Sequence, residues 1–204
     1  DAGVARYDWY PMIRGRLVAI NGRAIAPDSF SDDRAKRLVE REFNLSHDAR
    51  LPSHNRVAAG AWTADEADAV SVEDGLAKTL GVALGDRLAF DIAGTLREGR
   101  ITSLRKVDWG SMRVNFFVMF PIASMPGLPA TTIAAFRAPQ AVPGQPGFDN
   151  LLARDFPNIT NVDVSAQIGQ VQRVLDQVIS AVEFLFAFTL AAGLVVLFAA
   201  VSAT

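Results

Sequence analysis

His47 and His54 lie seven positions apart in the stretch SHDARLPSHN, with Asp48 between them. Two imidazoles and a carboxylate are a donor set that holds zinc when a rigid element fixes their spacing. Here the spacing matches no rigid ligand pattern, so the stretch reads as a solvated polar loop. Replacing both histidines is then expected to change stability by less than about 0.5 kcal/mol, as at other surface positions. Asp65, Glu66, Asp68, Glu73 and Asp74 offer oxygens to a divalent cation, but without the spacing of a calcium loop they read as a solvated face. No serine sits in a G-x-S-x-G turn, and no phosphate loop G-x-x-x-x-G-K-[ST] occurs. The densest glycine stretch, Gly81-Val-Ala-Leu-Gly85-Asp86, carries no lysine and reads as a helix stop followed by a turn. With no cysteine in the chain, thiolate metal sites, iron–sulfur clusters and a cysteine nucleophile are excluded. No catalytic, metal-ligating or cofactor-binding residue is assigned.

The chemistry therefore gives way to the question of what the chain is built to carry. Its 204 residues are half apolar, with a formal charge of −2 and 17 arginines against three lysines. That balance gives no electrostatic pull toward nucleic acid. Of the 42 charged residues 34 precede Val114, and none follows Glu183. The last 21 residues, FLFAFTLAAGLVVLFAAVSAT from Phe184 to Thr204, would rise about 31 Å as a helix, the thickness of a bilayer's hydrocarbon core. Residues 184–204 are thus expected to form a transmembrane helix. The chain begins at Asp1 rather than at a methionine and is read as an excised piece of a larger membrane protein.

Before the apolar run, Val164, Ile168, Val171, Leu175, Val178, Val182 and Leu185 recur at alternating steps of four and three, a seam of period 3.5. Gln167, Gln170, Arg173, Asp176, Gln177 and Ser180 fill the other faces. One helix is expected to run from water into lipid, capped at its start by Asp163 or Ser165, with residues 163–183 as a stalk. The seam could pack on the chain's own globular part. A helix of about 60 Å outreaches such a domain, however, which favours a neighbouring membrane helix as partner.

Residues 1–162 read as an α+β domain of short strands and helices, with a β-rich part around 45–137. Apolar residues on both sides of Asn21-Gly22 predict a hairpin over 11–25. Helices are expected over 31–43, with Ser31 as cap, over 73–80, stopped by Gly81, and over 148–156, ended by Pro157. Strands are expected over 87–92, 100–107, 114–120 and 131–137. A loop is expected over 139–147, and strand or extended chain over 158–164.

Long strings in the sequence carry a resemblance: FNLS at 43–46, SVEDGLAKTLGVALGDRLAFDIAG at 71–94, Asp108-Trp109, Asn115-Phe116-Phe117-Val118-Met119-Phe120-Pro121, and VLDQVISAVEFLF at 174–186. Over nearly its whole length the chain resembles FtsX-like permeases of ABC transporters, in particular the large YbbP-type permeases, whose extracytoplasmic part resembles the MacB periplasmic core domain. The family signature falls on Gly81, Leu84, Gly85, Asp86, Asp108, Trp109, Asn115, Phe116 and Phe117. The resemblance implies a transport permease rather than an enzyme, in the bacterial inner membrane, with residues 1 to about 162 in the periplasm. It implies that a separate cytoplasmic ATPase subunit binds ATP and drives export or rearrangement of hydrophobic, lipid-like substrates. Membrane lipids, other permease helices or a second permease copy, and a periplasmic esterase-like protein are the partners it implies. In such permeases a first transmembrane helix precedes this domain. A single-pass sensor ectodomain is the alternative with the same order of elements.

Overall fold

The computed structural model describes residues 4, 7–111, 113–125, 127–139 and 146–202, and the chain divides into two units, residues 1–139 and 140–204. In the first unit, β1 (Tyr7–Ile20) turns through Asn21 (φ 51°) and Gly22 (φ 73°) into the two-residue β2 (Arg23–Ala24). Two successive positive φ values are what a two-residue hairpin of the matching twist needs, and Asn-Gly supplies them at least cost. α1 (Asp33–Glu40) follows. Its cap is Asp32, whose carboxylate accepts from the Arg34 amide at 2.7 Å, and not the expected Ser31. Ala35, Leu38 and Val39 are buried at helical spacing, but the helix stops short of Phe43, which opens β3 (Phe43–Asp48).

β4 (Asn55–Gly60) and β5 (Ala69–Glu73) come next. α2 (Asp74–Leu80) starts directly from β5 with Glu73 as its cap, the carboxylate accepting from the Leu76 amide at 2.7 Å, and ends at Gly81 (φ 70°). The remaining strands are β6 (Arg87–Ile92), β7 (Thr95–Val107), β8 (Val118–Pro121) and β9 (Thr131–Phe136). β3, β4 and β5 were not anticipated, because His47 and Asp48, the alanines of β4 and the acids around β5 dilute the β-formers. Tertiary pairing overrides that weak propensity. Nor are all strands short: β1 and β7 run 14 and 13 residues, since each serves several partners along its length.

Six strands close on themselves in the order β1-β3-β8-β5-β7-β6 and back to β1. β3 with β8 and β5 with β7 run parallel, and the other four pairings are antiparallel. Closure removes the open edges that a flat sheet would leave. Ile13, Leu17, Leu45, Val70, Val72, Leu88, Phe90, Ile92, Ile101, Val118 and Phe120 fill one buried cluster, which the buried faces of α1 and α2 join. Each fully buried Leu, Ile or Phe contributes about 1.5–3 kcal/mol. Phe90 meets both Phe43 and Phe120 edge to face. Gly15 lets β1 lie close to this core, since a Cβ there would stand 2.6 Å from Leu45 Cδ1 and that buried side chain would have to shift.

β9 pairs with the first half of β1, and β4 with the second half of β7. Beneath the β1/β9 ribbon lies a second, smaller cluster of Val114, Phe116 and Met119, against which Tyr10, Met12, Trp62 and Ile133 pack. The fold of this unit is thus mixed helix and strand.

In the second unit, α3 (Phe148–Asp155) is followed by a turn at 157–158 and by chain at 159–163 that joins no strand among the described residues. α4 (Val164–Ser202) then runs 39 residues without interruption, about 58 Å. It starts directly after Asp163, which leaves Ser165 inside the helix rather than at its cap. The expected loop over 139–147 falls largely on residues 140–145, outside the described residues.

Candidate functional site

Both signature segments form polar knots that hang on β7. In the first, Asp86 Oδ2 accepts from the Ala83 amide at 2.7 Å and Oδ1 accepts from Asn21 Nδ2 at 2.8 Å. Asn21 Oδ1 in turn accepts from the Arg87 amide at 2.8 Å, and the Asn21 amide donates to the Arg87 carbonyl at 2.8 Å. These bonds hold the Asp86 carboxyl below its ordinary value of 3.8, the Ala83 amide acting most and Asn21 next. Gly85 (φ 94°) donates its amide to the Ile101 carbonyl of β7 at 2.8 Å. Leu84 is exposed and leans over Gly60. Gly81, Gly85 and Asp86 therefore shape a loop and tie it to the first hairpin.

The second knot gathers residues that composition alone could not single out. Arg105, on β7, is fully buried; its Nη2 donates to the Phe116 carbonyl at 2.8 Å and its Nη1 to Asn55 Oδ1 at 2.6 Å. Burial pushes its guanidinium down to about 10, with the Glu73 carboxylate opposing that shift. Asn55 Nδ2 donates to Asn115 Oδ1 at 3.0 Å, the same oxygen faces His54 Nε2 at 2.9 Å, and Asn115 Nδ2 donates to the Asp108 carbonyl at 3.0 Å. Since His54 Nε2 also faces the Val114 carbonyl at 3.1 Å, it has only acceptors before it and must carry the proton. The relay from Arg105 through Asn55 to Asn115 fixes both amides and clamps Asp108, Asn115 and Phe116 onto β4 and β7. Trp109 packs on Phe117 with the rings inclined at 42° and their centroids 4.5 Å apart, while Phe116 is buried against Tyr10. The alternation Ile101, Ser103, Arg105 on the inward face of β7 is the signal that marks Arg105 as buried.

The histidines are placed differently from the loop expected. His47 lies within β3, opposite Phe120 of β8, and burial pushes its imidazole below 6.5. His54 is anchored in the second knot. Four of the five acids find partners: Glu66 pairs with Arg100 at 2.6 Å, Asp68 with Arg87 at 3.3 Å and Asp74 with Lys78 at 2.6 Å, while Glu73 caps α2. Among the described residues no three His, Asp or Glu side chains gather as a metal site.

On α4, the seam residues Val164, Leu175, Val178, Val182 and Leu185 are all exposed, while the side chains of Ile168 and Val171 lie outside the described part. The stretch Val174–Val195 is long and apolar enough to cross a bilayer, with mean hydropathy 2.2 and none of its most apolar window buried. A helix of a soluble core would be covered.

This pairing of a closed mixed-strand unit with a long apolar helix occurs in a chain whose sequence is related to the ABC transporter permeases. Over 195 residues, 95% of its length, it is 40% identical to the uncharacterized ABC transporter permease YbbP of Escherichia coli (strain K12). The chain spans 23% of that relative's length. No family model matches it. A solved domain of a candidate permease protein from Porphyromonas gingivalis is a distant structural neighbour, with a TM-score of 0.43 and 15% identity over 76% of this chain and 69% of that one.

Proposed function

We propose that this chain is the extracytoplasmic domain, stalk and following membrane helix of an ABC transporter permease. On this reading residues 1 to about 162 face the periplasm as a MacB-like core domain, residues 163–183 form the stalk, and 184–204 cross the inner membrane. A separate cytoplasmic ATPase subunit binds and hydrolyses ATP. Its motion reaches the periplasmic domain through α4 and drives the handling of hydrophobic, lipid-like cargo. Other permease helices or a second permease copy pack on the stalk, and a periplasmic esterase-like protein is a further partner.

The observation that carries this reading is α4 itself. It is continuous over 39 residues, contains no proline, and presents Leu175, Val178 and Val182 exposed in line at the start of the stretch that is long and apolar enough to cross a bilayer. An unbroken helix transmits a displacement along its axis, whereas a proline kink would absorb it. The similarity to a permease over 95% of the chain supports the assignment.

Because the chain has no cysteine, Ser53→Cys introduces its only thiol at an exposed position. In intact cells an impermeant maleimide should label it. Labelling only after lysis would place the domain in the cytoplasm and reject the reading.

A further inference from the structure

Cations face each other directly across two strand pairings, and only one of these pairs is neutralised. Arg87 of β6 stands opposite Arg100 of β7, and three carboxylates answer them, Glu98 and Asp68 on Arg87 and Glu66 on Arg100. Arg56 of β4 stands opposite Lys106 of β7, and both are exposed. Among the described residues neither of these two side chains meets a carboxylate. Asp108, two positions beyond Lys106, accepts from the Gly110 amide at 3.0 Å instead. Like charges placed directly across a strand pair are destabilising, so Arg56 and Lys106 lack the anion that the fold itself supplies to Arg87 and Arg100.

The strand that carries Arg56 is also open. β4 lies outside the six-stranded ring and, among the described residues, pairs with β7 alone. Beyond that pairing the backbone from Arg56 to Gly60 makes no hydrogen bond with a described residue, and Arg56, Val57, Ala58 and Gly60 are exposed. We propose that β4 is a docking edge for an acidic, extended segment of another protein, which adds to the sheet as a strand and sets a carboxylate before Arg56 and Lys106.

Charge and backbone together select this occupant. A free phosphate or a lipid headgroup would answer the two cations but leave the N–H and C=O groups of the edge to water, whereas an extended segment answers both. A second copy of the chain brings no carboxylate to such a pairing. The strands outside the ring are β2, β4 and β9, none of which contains an acid, and each ring strand is already held between two others. Arg56 and the register shift between Val57 and Ala59 are devices that keep a neutral or basic strand away. Before an acid the same arginine attracts, so repulsion of other strands becomes selection for this one. Successive residues of a strand point to opposite faces, which places the neighbour of the acid on the side of the exposed Val57 and makes an apolar residue the fit there.

The test uses the whole 204-residue chain in phosphatidylcholine nanodiscs and does not depend on its being a permease. The labelled peptide TEVEVET should bind, by fluorescence anisotropy, at least about tenfold tighter than the neutral TQVQVQT, the scale of a close charge pair across an interface. It should equally outbind TEPEPET, which keeps the charge but cannot pair as a strand. Amide exchange should slow at residues 56–60 when TEVEVET is bound. Arg56→Glu should abolish binding without lowering the thermal unfolding midpoint, because it faces Lys106 with the opposite charge. Arg56→Glu with Lys106→Glu should turn the preference to TKVKVKT. Equal binding of TEVEVET and TEPEPET, protection elsewhere than β4, or binding that survives Arg56→Glu would each overturn the proposal. So would absence of binding, displacement of TEVEVET by inorganic phosphate or phosphatidylglycerol vesicles as readily as by unlabelled peptide, or a dimer of the chain joined through β4.

Discussion

Asn21 and Asp86, 65 positions apart, are joined side chain to side chain at 2.8 Å, Asn21 Nδ2 donating to Asp86 Oδ1. The same Asn21 makes the left-handed turn of the first hairpin, and the same Asp86 closes the loop after α2. One bond therefore couples the hairpin that begins the ring to the strand that closes it, β6 on β1.

Asp86→Ala should destabilise the chain by about 1–2 kcal/mol at pH 7, the usual worth of hydrogen bonds to a partly exposed carboxylate. The Asp86 carboxyl is held below 3.8 when folded, so its contribution is present above that pH and is lost as pH falls through the depressed value. Denaturant unfolding of both proteins should show a gap at pH 7 that narrows below about pH 4. A gap constant down to pH 2 would show that the charge is irrelevant.

Gly60 and Gly22 separate two meanings of a left-handed glycine. Both have φ near +73°, but a Cβ on Gly60 would stand 2.0 Å from the Thr102 carbonyl oxygen, while nothing lies within 4 Å of one on Gly22. Gly22→Ala should cost about 1 kcal/mol, the backbone strain alone. Gly60→Ala should cost upward of about 2 kcal/mol because β4 must also move away from β7. Thermal unfolding of the two variants ranks them, and equal losses would contradict the close approach.

The histidines part company in the same way. His54→Ala removes the donor facing Asn115 and the Val114 carbonyl and should cost about 1–2 kcal/mol, more than the surface value its sequence context suggests. His47, lowered from 6.5 by burial, favours the fold above that pH and loses this contribution as pH falls. Wild-type stability should therefore drop relative to His47→Gln between pH 7 and 5. Parallel stability profiles would show His47 to be solvated.

Much of the local structure is legible because short-range chemistry decides it. Asn21-Gly22 announces its turn, Gly81 its helix stop, and the uncharged run after Glu183 its membrane-length helix. Ring closure is not legible in this way, since no local signal reports that β1 meets both β3 and β6. His47 and Asp48 look like loop residues until β8 pairs beside them, and Arg105 looks like one of many arginines until β7 turns it inward. The signature residues Asp108 and Asn115 stand out in the sequence, but their role as anchors of a clamp depends on Asn55 and Arg105, which do not.

The most direct test of α4 as the proposed force-bearing lever compares two adjacent residues in the full-length protein together with the ATPase subunit proposed for it. Leu175→Asp places a carboxylate in the centre of the exposed seam, and burying it unpaired against a neighbouring helix costs several kcal/mol or drives the helices apart. Asp176→Ala removes a solvated charge beside it, which contributes little. Stimulation of ATP hydrolysis should be lost with Leu175→Asp and kept with Asp176→Ala, while residues 1–162 keep their wild-type thermal unfolding within the 204-residue chain in both. Unfolding of that domain by Leu175→Asp would show that the seam packs on the chain's own core, and normal stimulation with both variants would contradict the lever.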